Sequence, residues 1–168
     1  MRYFICKGIA LGALLLVAAL IPARANIGDT MEVLRHRYGS AKDMGGQMLF
    51  EVRLKDGQIL PARDATDKTS LFTVTVYFDG VHSAMEIFTR NTSDPAKANM
   101  SQDDISAILN VVSGGSPWTP LATKSGKATW VWGDRKGELP QLMARFDPAK
   151  SNSPEDASVL IIMVYTEK

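Results

Sequence analysis

The chain has few residues suited to chemistry: two histidines, His36 and His82, one cysteine, Cys6, and 18 carboxylates. A transition-metal site built on His and Cys needs three or four such ligands at one point. His36 falls on a helical pattern and His82 on a strand face, so each reads as a surface residue. No metal and no cofactor is expected. No serine stands in a Gly-x-Ser-x-Gly elbow. Gly126-Lys127 lacks the upstream glycine of a phosphate loop, since Leu121 stands in its place. Asp64-Ala-Thr-Asp67 has the look of a calcium loop but lacks its Gly and distal Glu. Paired carboxylates could serve acid–base chemistry at a glycosidic bond. Most of the acids have plainer roles: Asp79 in a turn, Asp103 and Asp104 at a helix start, Glu51 and Glu86 on strand faces turned to water.

Aromatic side chains are the other candidates, because they dominate contact surfaces and stack on sugars. Trp130 and Trp132 share a strand face and are assigned to the core, where tryptophan is commonly found. Trp118, in Ser116-Pro-Trp-Thr-Pro120, is left between core and contact surface. Candidate binding residues are therefore Trp118 and the outward face of a hairpin, Tyr77, His82 and Glu86. No catalytic residue is assigned.

Local patterns position these residues. Asp29-Thr-Met-Glu32 opens a helix with Asp29 as its cap, and Met31, Leu34 and Tyr38 share a face before Gly39. Met48 to Leu54 alternates as a half-buried strand, Asp56-Gly57 turns, and Leu60 to Lys68 reads as loop. Leu71 to Phe78 and Val81 to Arg90 form a hairpin about Asp79-Gly80, a favoured two-residue turn. The expected register sets Phe78 opposite Val81, Val74 opposite Met85 and Phe72 opposite Ile87, all inward. Ser101-Gln-Asp-Asp104 is a capping box, with Met100 and Ile105 placed as a hydrophobic staple. Ile105, Ile108, Leu109 and Val112 then make an amphipathic stripe. Strands are expected at Ala128 to Trp132, Gln141 to Phe146 and Val159 to Val164, the last covered on both faces. The order is helix, three strands, helix, three strands. An α+β fold follows, with one antiparallel sheet of about five to six strands and both helices on one face. No residue-level repeat links the halves, and a duplication is left open.

Met1 to about Ala25 reads as a secretory signal. Arg2 and Lys7 precede an apolar run from Ile9 to Ile21, and Ala23 and Ala25 suit a signal peptidase. The run has 13 residues before Pro22, short of the roughly 20 a spanning helix needs. Cys6 lies before the run, so a lipid anchor is not expected. Residues 26–168 would then form a single domain in the periplasm or outside the cell, with no stable membrane span. Removing Arg2, Lys7 and Arg24 turns 19 basic and 18 acidic residues into 16 and 18, a formal charge of −2. That balance lacks the basic footprint of a nucleic-acid binder.

Gly28-Asp-Thr30, Val33 and Gly39, followed later by Thr75-Val-Tyr-Phe-Asp-Gly80, resemble the repeat unit of the BamE (SmpA/OmlA) envelope-assembly proteins and of the related β-lactamase-inhibitor-protein fold. The resemblance covers the first half of residues 26–168. Those assembly proteins carry a lipid on a cysteine absent here, and Ser40-Ala41 stands where they have a proline. The resemblance implies an α+β fold and an envelope location. The functional expectation is an exported, non-enzymatic module that binds another envelope or secreted protein. A small carboxylate-based carbohydrate-active enzyme or ligand-binding protein is one alternative. An inhibitor of an exported hydrolase is another.

Overall fold

The computed structural model describes residues 27–62, 71–92, 94, 97–121, 127–133, 142–150 and 156–164. The Met1–Ala25 segment, expected to be a secretory signal, and the Asp64–Asp67 stretch lie outside the described residues. The fold is α+β, and the described residues form two helices and nine strands in one antiparallel sheet. Helix α1 (Met31–Tyr38) precedes β1 (Ala41–Asp43), β2 (Gln47–Lys55), β3 (Gln58–Pro61), β4 (Leu71–Asp79) and β5 (His82–Arg90). Helix α2 (Gln102–Val112) precedes β6 (Thr119–Pro120), β7 (Ala128–Trp132), β8 (Leu142–Asp147) and β9 (Val159–Val164). The six expected strands correspond to β2, β4, β5, β7, β8 and β9. The three additional ones are short: β1 and β3 both pair with β2, and β6 pairs with β7. Strands of two to four residues carry no periodic signal of their own, which is why the count rises from six to nine.

The sheet order is β1-β2-β4-β5-β9-β8-β7-β6, with β3 also on β2. Each half of the chain is thus a helix followed by a meander, and the halves meet where β5 pairs antiparallel with β9. The last strand of each half lies at the centre and the first at an outer edge. The topology therefore has a twofold-like symmetry that the residues themselves do not display.

One hydrophobic cluster takes Leu34 and Tyr38 from α1 and Ile105, Ile108, Leu109 and Val112 from α2. Its strand members Phe50, Val74, Phe88 and Leu160 are cross-strand neighbours on one face of the sheet, and Phe146 continues the row against the cluster. Both helices pack on that face. Tyr38 meets Phe50 and Phe88 edge to face, with ring centroids 5.5 and 6.4 Å apart. The capping box of α2 forms as expected: Asp104 N donates to Ser101 Oγ and Ser101 N to Asp104 Oδ2. Met100 and Ile105 are both buried. In α1 the cap differs. Thr30 holds the cap position without a side-chain bond, and Asp29 instead accepts from the Arg37 guanidinium. Gly39 ends α1 at φ 89°, where a Cβ would stand 2.9 Å from Pro61 Cβ.

The hairpin register departs from expectation. The loop residues are Gly80 and Val81, with Asp79 opposite His82. A bulge follows: Phe78 pairs with Ser83, but Tyr77 pairs with Met85. The extra residue, Ala84, reverses which side chains of β5 face inward. Phe88 then lies opposite Val74 and Glu86 opposite Val76. Met85 and Ile87, expected inside, point to the other face. Glu86, expected outside, points in.

Candidate functional site

The bulge creates the most unusual polar site in the fold. Glu86 is 0 % exposed and lies under α1. Its Oε2 accepts a 2.8 Å hydrogen bond from the Tyr38 hydroxyl. Arg37, the next residue along α1, binds Asp29. Glu86 Oε1 and Arg37 Nη1 are both buried without a hydrogen-bond partner among the described residues. Burial pushes the Glu86 carboxyl up from 4.5 to about 7, although the Tyr38 bond and the Arg37 charge pull the other way. Burial also raises the Tyr38 hydroxyl well above its ordinary value, and the Glu86 charge adds to this.

Ser83, inside the bulged turn, fastens the lead into α1. Its backbone exchanges hydrogen bonds with Gly28 N and Asp29 O, and its Oγ accepts from Gly28 N and Asp29 N. His82 Nδ1 lies 2.8 Å from Gly28 O. The same strand therefore holds the start of α1 through Ser83 and its last turn through Glu86.

The four candidate contact residues do not share a surface. Tyr77 lies on the face away from the helices and is 36 % exposed. His82 is exposed but turned toward Gly28. Glu86 is buried, which corrects its assignment to the outward hairpin face. Trp118 is half-buried against the core, and its Nε1 donates to Leu109 O at the end of α2. Trp132 is buried and Trp130 packs against the core.

A second feature lies on the helix-free side of the sheet. Cross-strand pairs run Val131–Met143–Met163–Met85–Tyr77 across five strands. Ile161 pairs with Ile87 in the next row. All but Tyr77 are half-buried, and none belongs to the core cluster. The run Val159–Val164 was expected to be covered on both faces. Instead Leu160 and Ile162 are fully buried under the helix layer, while Ile161 and Met163 face outward. The signal was present in the sequence: apolar residues of both parities in an antiparallel sheet, with two amphipathic helical patterns in residues 26–168 to cover one face.

Two clefts among the described residues have a polar lining. One, about 350 Å³, is lined by residues including Ser40, Lys42, Leu49, Glu51 and Pro61. The other, about 680 Å³, contains Lys127, Arg145, Asp147, Lys150 and Asp156. Lys127 and Arg145 both hold Asp147. Although its burial acts upward, they keep its carboxyl below the usual range. That is the wrong direction for a general acid. Neither cleft includes Glu86. Among the described residues, no three His, Cys, Asp or Glu side chains converge as a metal site would require. No described helix is long and apolar enough to cross a membrane.

Comparison with protein-family models, with curated proteins and with solved structures returns no match.

Proposed function

We propose that this is an exported, non-enzymatic binding module whose contact surface is the helix-free face of the sheet. The observation that carries the reading is the contiguous apolar band of Met85, Met143, Met163, Ile87, Ile161 and Val131, ending at Tyr77. Exposed contiguous apolar patches mark interaction surfaces, and each member of this band keeps part of its surface open to solvent. Three methionines in a row suit such a surface, because their unbranched side chains adapt to irregular partners. The leader-like Met1–Ala25 segment supports an exported location, and with it a partner of the envelope or the exterior. The likeness of Gly28–Thr30 and Thr75–Gly80 to envelope-assembly proteins supports the same location.

The test is site-specific photo-crosslinking in the producing cell. A probe at Tyr77 or Ile161 should give one discrete adduct. A probe at Arg35, exposed on α1, should give none. Met163→Lys should weaken the adduct by about tenfold, about 1.4 kcal/mol, with an unchanged far-ultraviolet spectrum. Equal labelling from both faces, or none from the sheet face, would refute the reading.

A further inference from the structure

The Glu86 cluster has a charge count that depends on one proton. Three ionisable side chains surround this carboxyl. Tyr38 and Arg37 come from α1, and Asp29 comes from the segment that leads into it. The strands on either side contribute apolar neighbours, Val76 from β4 and Ile162 from β9. With Glu86 protonated, the Arg37 cation and the Asp29 anion balance and are bonded to each other. With Glu86 ionised, two carboxylates share one guanidinium, and the Glu86 carboxylate is itself closed to water. The closure is made by α1 itself: Tyr38 is fully buried and stands directly on Glu86.

We propose that α1 and its lead segment, residues 27–38, form a proton-gated clip on β5, closed when Glu86 is protonated and loosened when it is not. Opening restores water to the carboxylate and removes the charge imbalance. It also uncovers Phe50, Val76 and Phe88, apolar side chains of the helix-side face. The clip is suited to local movement. Helix α1 has eight residues, too few for stability without docking. Its polar attachments to the sheet converge on three residues of one strand, His82, Ser83 and Glu86.

The coupling follows from linkage. A carboxyl that titrates near 7 with α1 docked, and at its ordinary value once exposed, changes the opening equilibrium by about two orders of magnitude. The sign is fixed. The docked state binds the proton more tightly, so opening grows as pH rises from the ordinary carboxyl value toward 7 and is then constant.

Amide hydrogen exchange on the full chain tests this, with opening constants corrected for intrinsic exchange at about pH 5 and about pH 8. The opening constant of residues 31–38 should rise by about a hundredfold, while that of residues 102–112 in α2 stays level. Glu86→Gln should abolish the rise in α1. Tyr38→Phe removes a bond that lowers the Glu86 value, so its transition should move to higher pH. An α1 opening constant unchanged with pH would overturn the proposal. So would an equal rise in α2, which would mean global unfolding. A rise that survives Glu86→Gln, or a midpoint unmoved by Tyr38→Phe, would overturn it too.

Discussion

Replacing Glu86 by glutamine keeps the volume of the side chain and an acceptor for the Tyr38 hydroxyl, but removes the ionisation. The effect on global stability can be worked from the site. A folded carboxyl near 7 against an ordinary 4.5 corresponds to about 3 kcal/mol, at about 1.4 kcal/mol per pH unit. Glu86 is fully buried, so solvent screening does not reduce the figure. For a carboxyl whose folded value is raised, the folded state holds the proton after the unfolded chain has lost it. Its contribution is fully present below pH 4.5, falls as pH rises to about 7, and is then constant at its lowest. The glutamine variant has no such slope. Urea unfolding followed by tryptophan fluorescence measures both proteins across this range, and the difference between them cancels the other titrating groups. Near pH 4.5 the two should agree within about 1 kcal/mol, the scale of one altered hydrogen bond. Near pH 8 the variant should be the more stable by about 2 to 3 kcal/mol. A difference that stays constant with pH would show that Glu86 does not titrate in this window, and the burial argument would fail.

Two further substitutions test how the layers are fastened. Gly39→Ala puts a methyl group 2.9 Å from Pro61 Cβ at φ 89°, and should cost about 2 kcal/mol or more in urea midpoint-derived stability. Ser158→Ala removes the Oγ that accepts from Met100 N and donates to Ala98 O. Leaving that buried N–H unpaired should cost about 1–3 kcal/mol, with faster amide exchange at the start of α2.

The longer elements were legible because each carried its own period or its own cap. The α2 box at Ser101 and Asp104, the stripe Ile105–Val112 and the strand Gln47–Lys55 needed no tertiary information. The edges β1, β3 and β6 were not legible, because their pairing is set by β2 and β7 rather than by local pattern. The inward and outward sides of β5 exchange through a single residue. Turn chemistry and alternation agreed on one register about Asp79-Gly80, and nothing local distinguishes Ala84 as a bulge. What decides it is packing: the bulge seals Phe88 in the core, and the ends of α1 are secured by Ser83 and Glu86 of the same strand. Glu86 was thus visible as a residue but not as a buried one. The apolar run Val159–Val164 was read correctly as a strand, and its second face was assigned a cover that the two helices do not supply.

The pairing of β5 with β9 has a consequence for the chain as a linked object. Each half, cut free, would present its last strand as a bare ladder of N–H and C=O groups, Met85 to Thr89 in one and Val159 to Met163 in the other. The halves could complete the sheet only by association, and their union would dissolve on dilution. Residues 91–158 tie the two strands together, so the union becomes intramolecular, with an effective concentration set by that tether rather than by the number of molecules in solution. The sheet therefore stays whole however dilute the protein becomes.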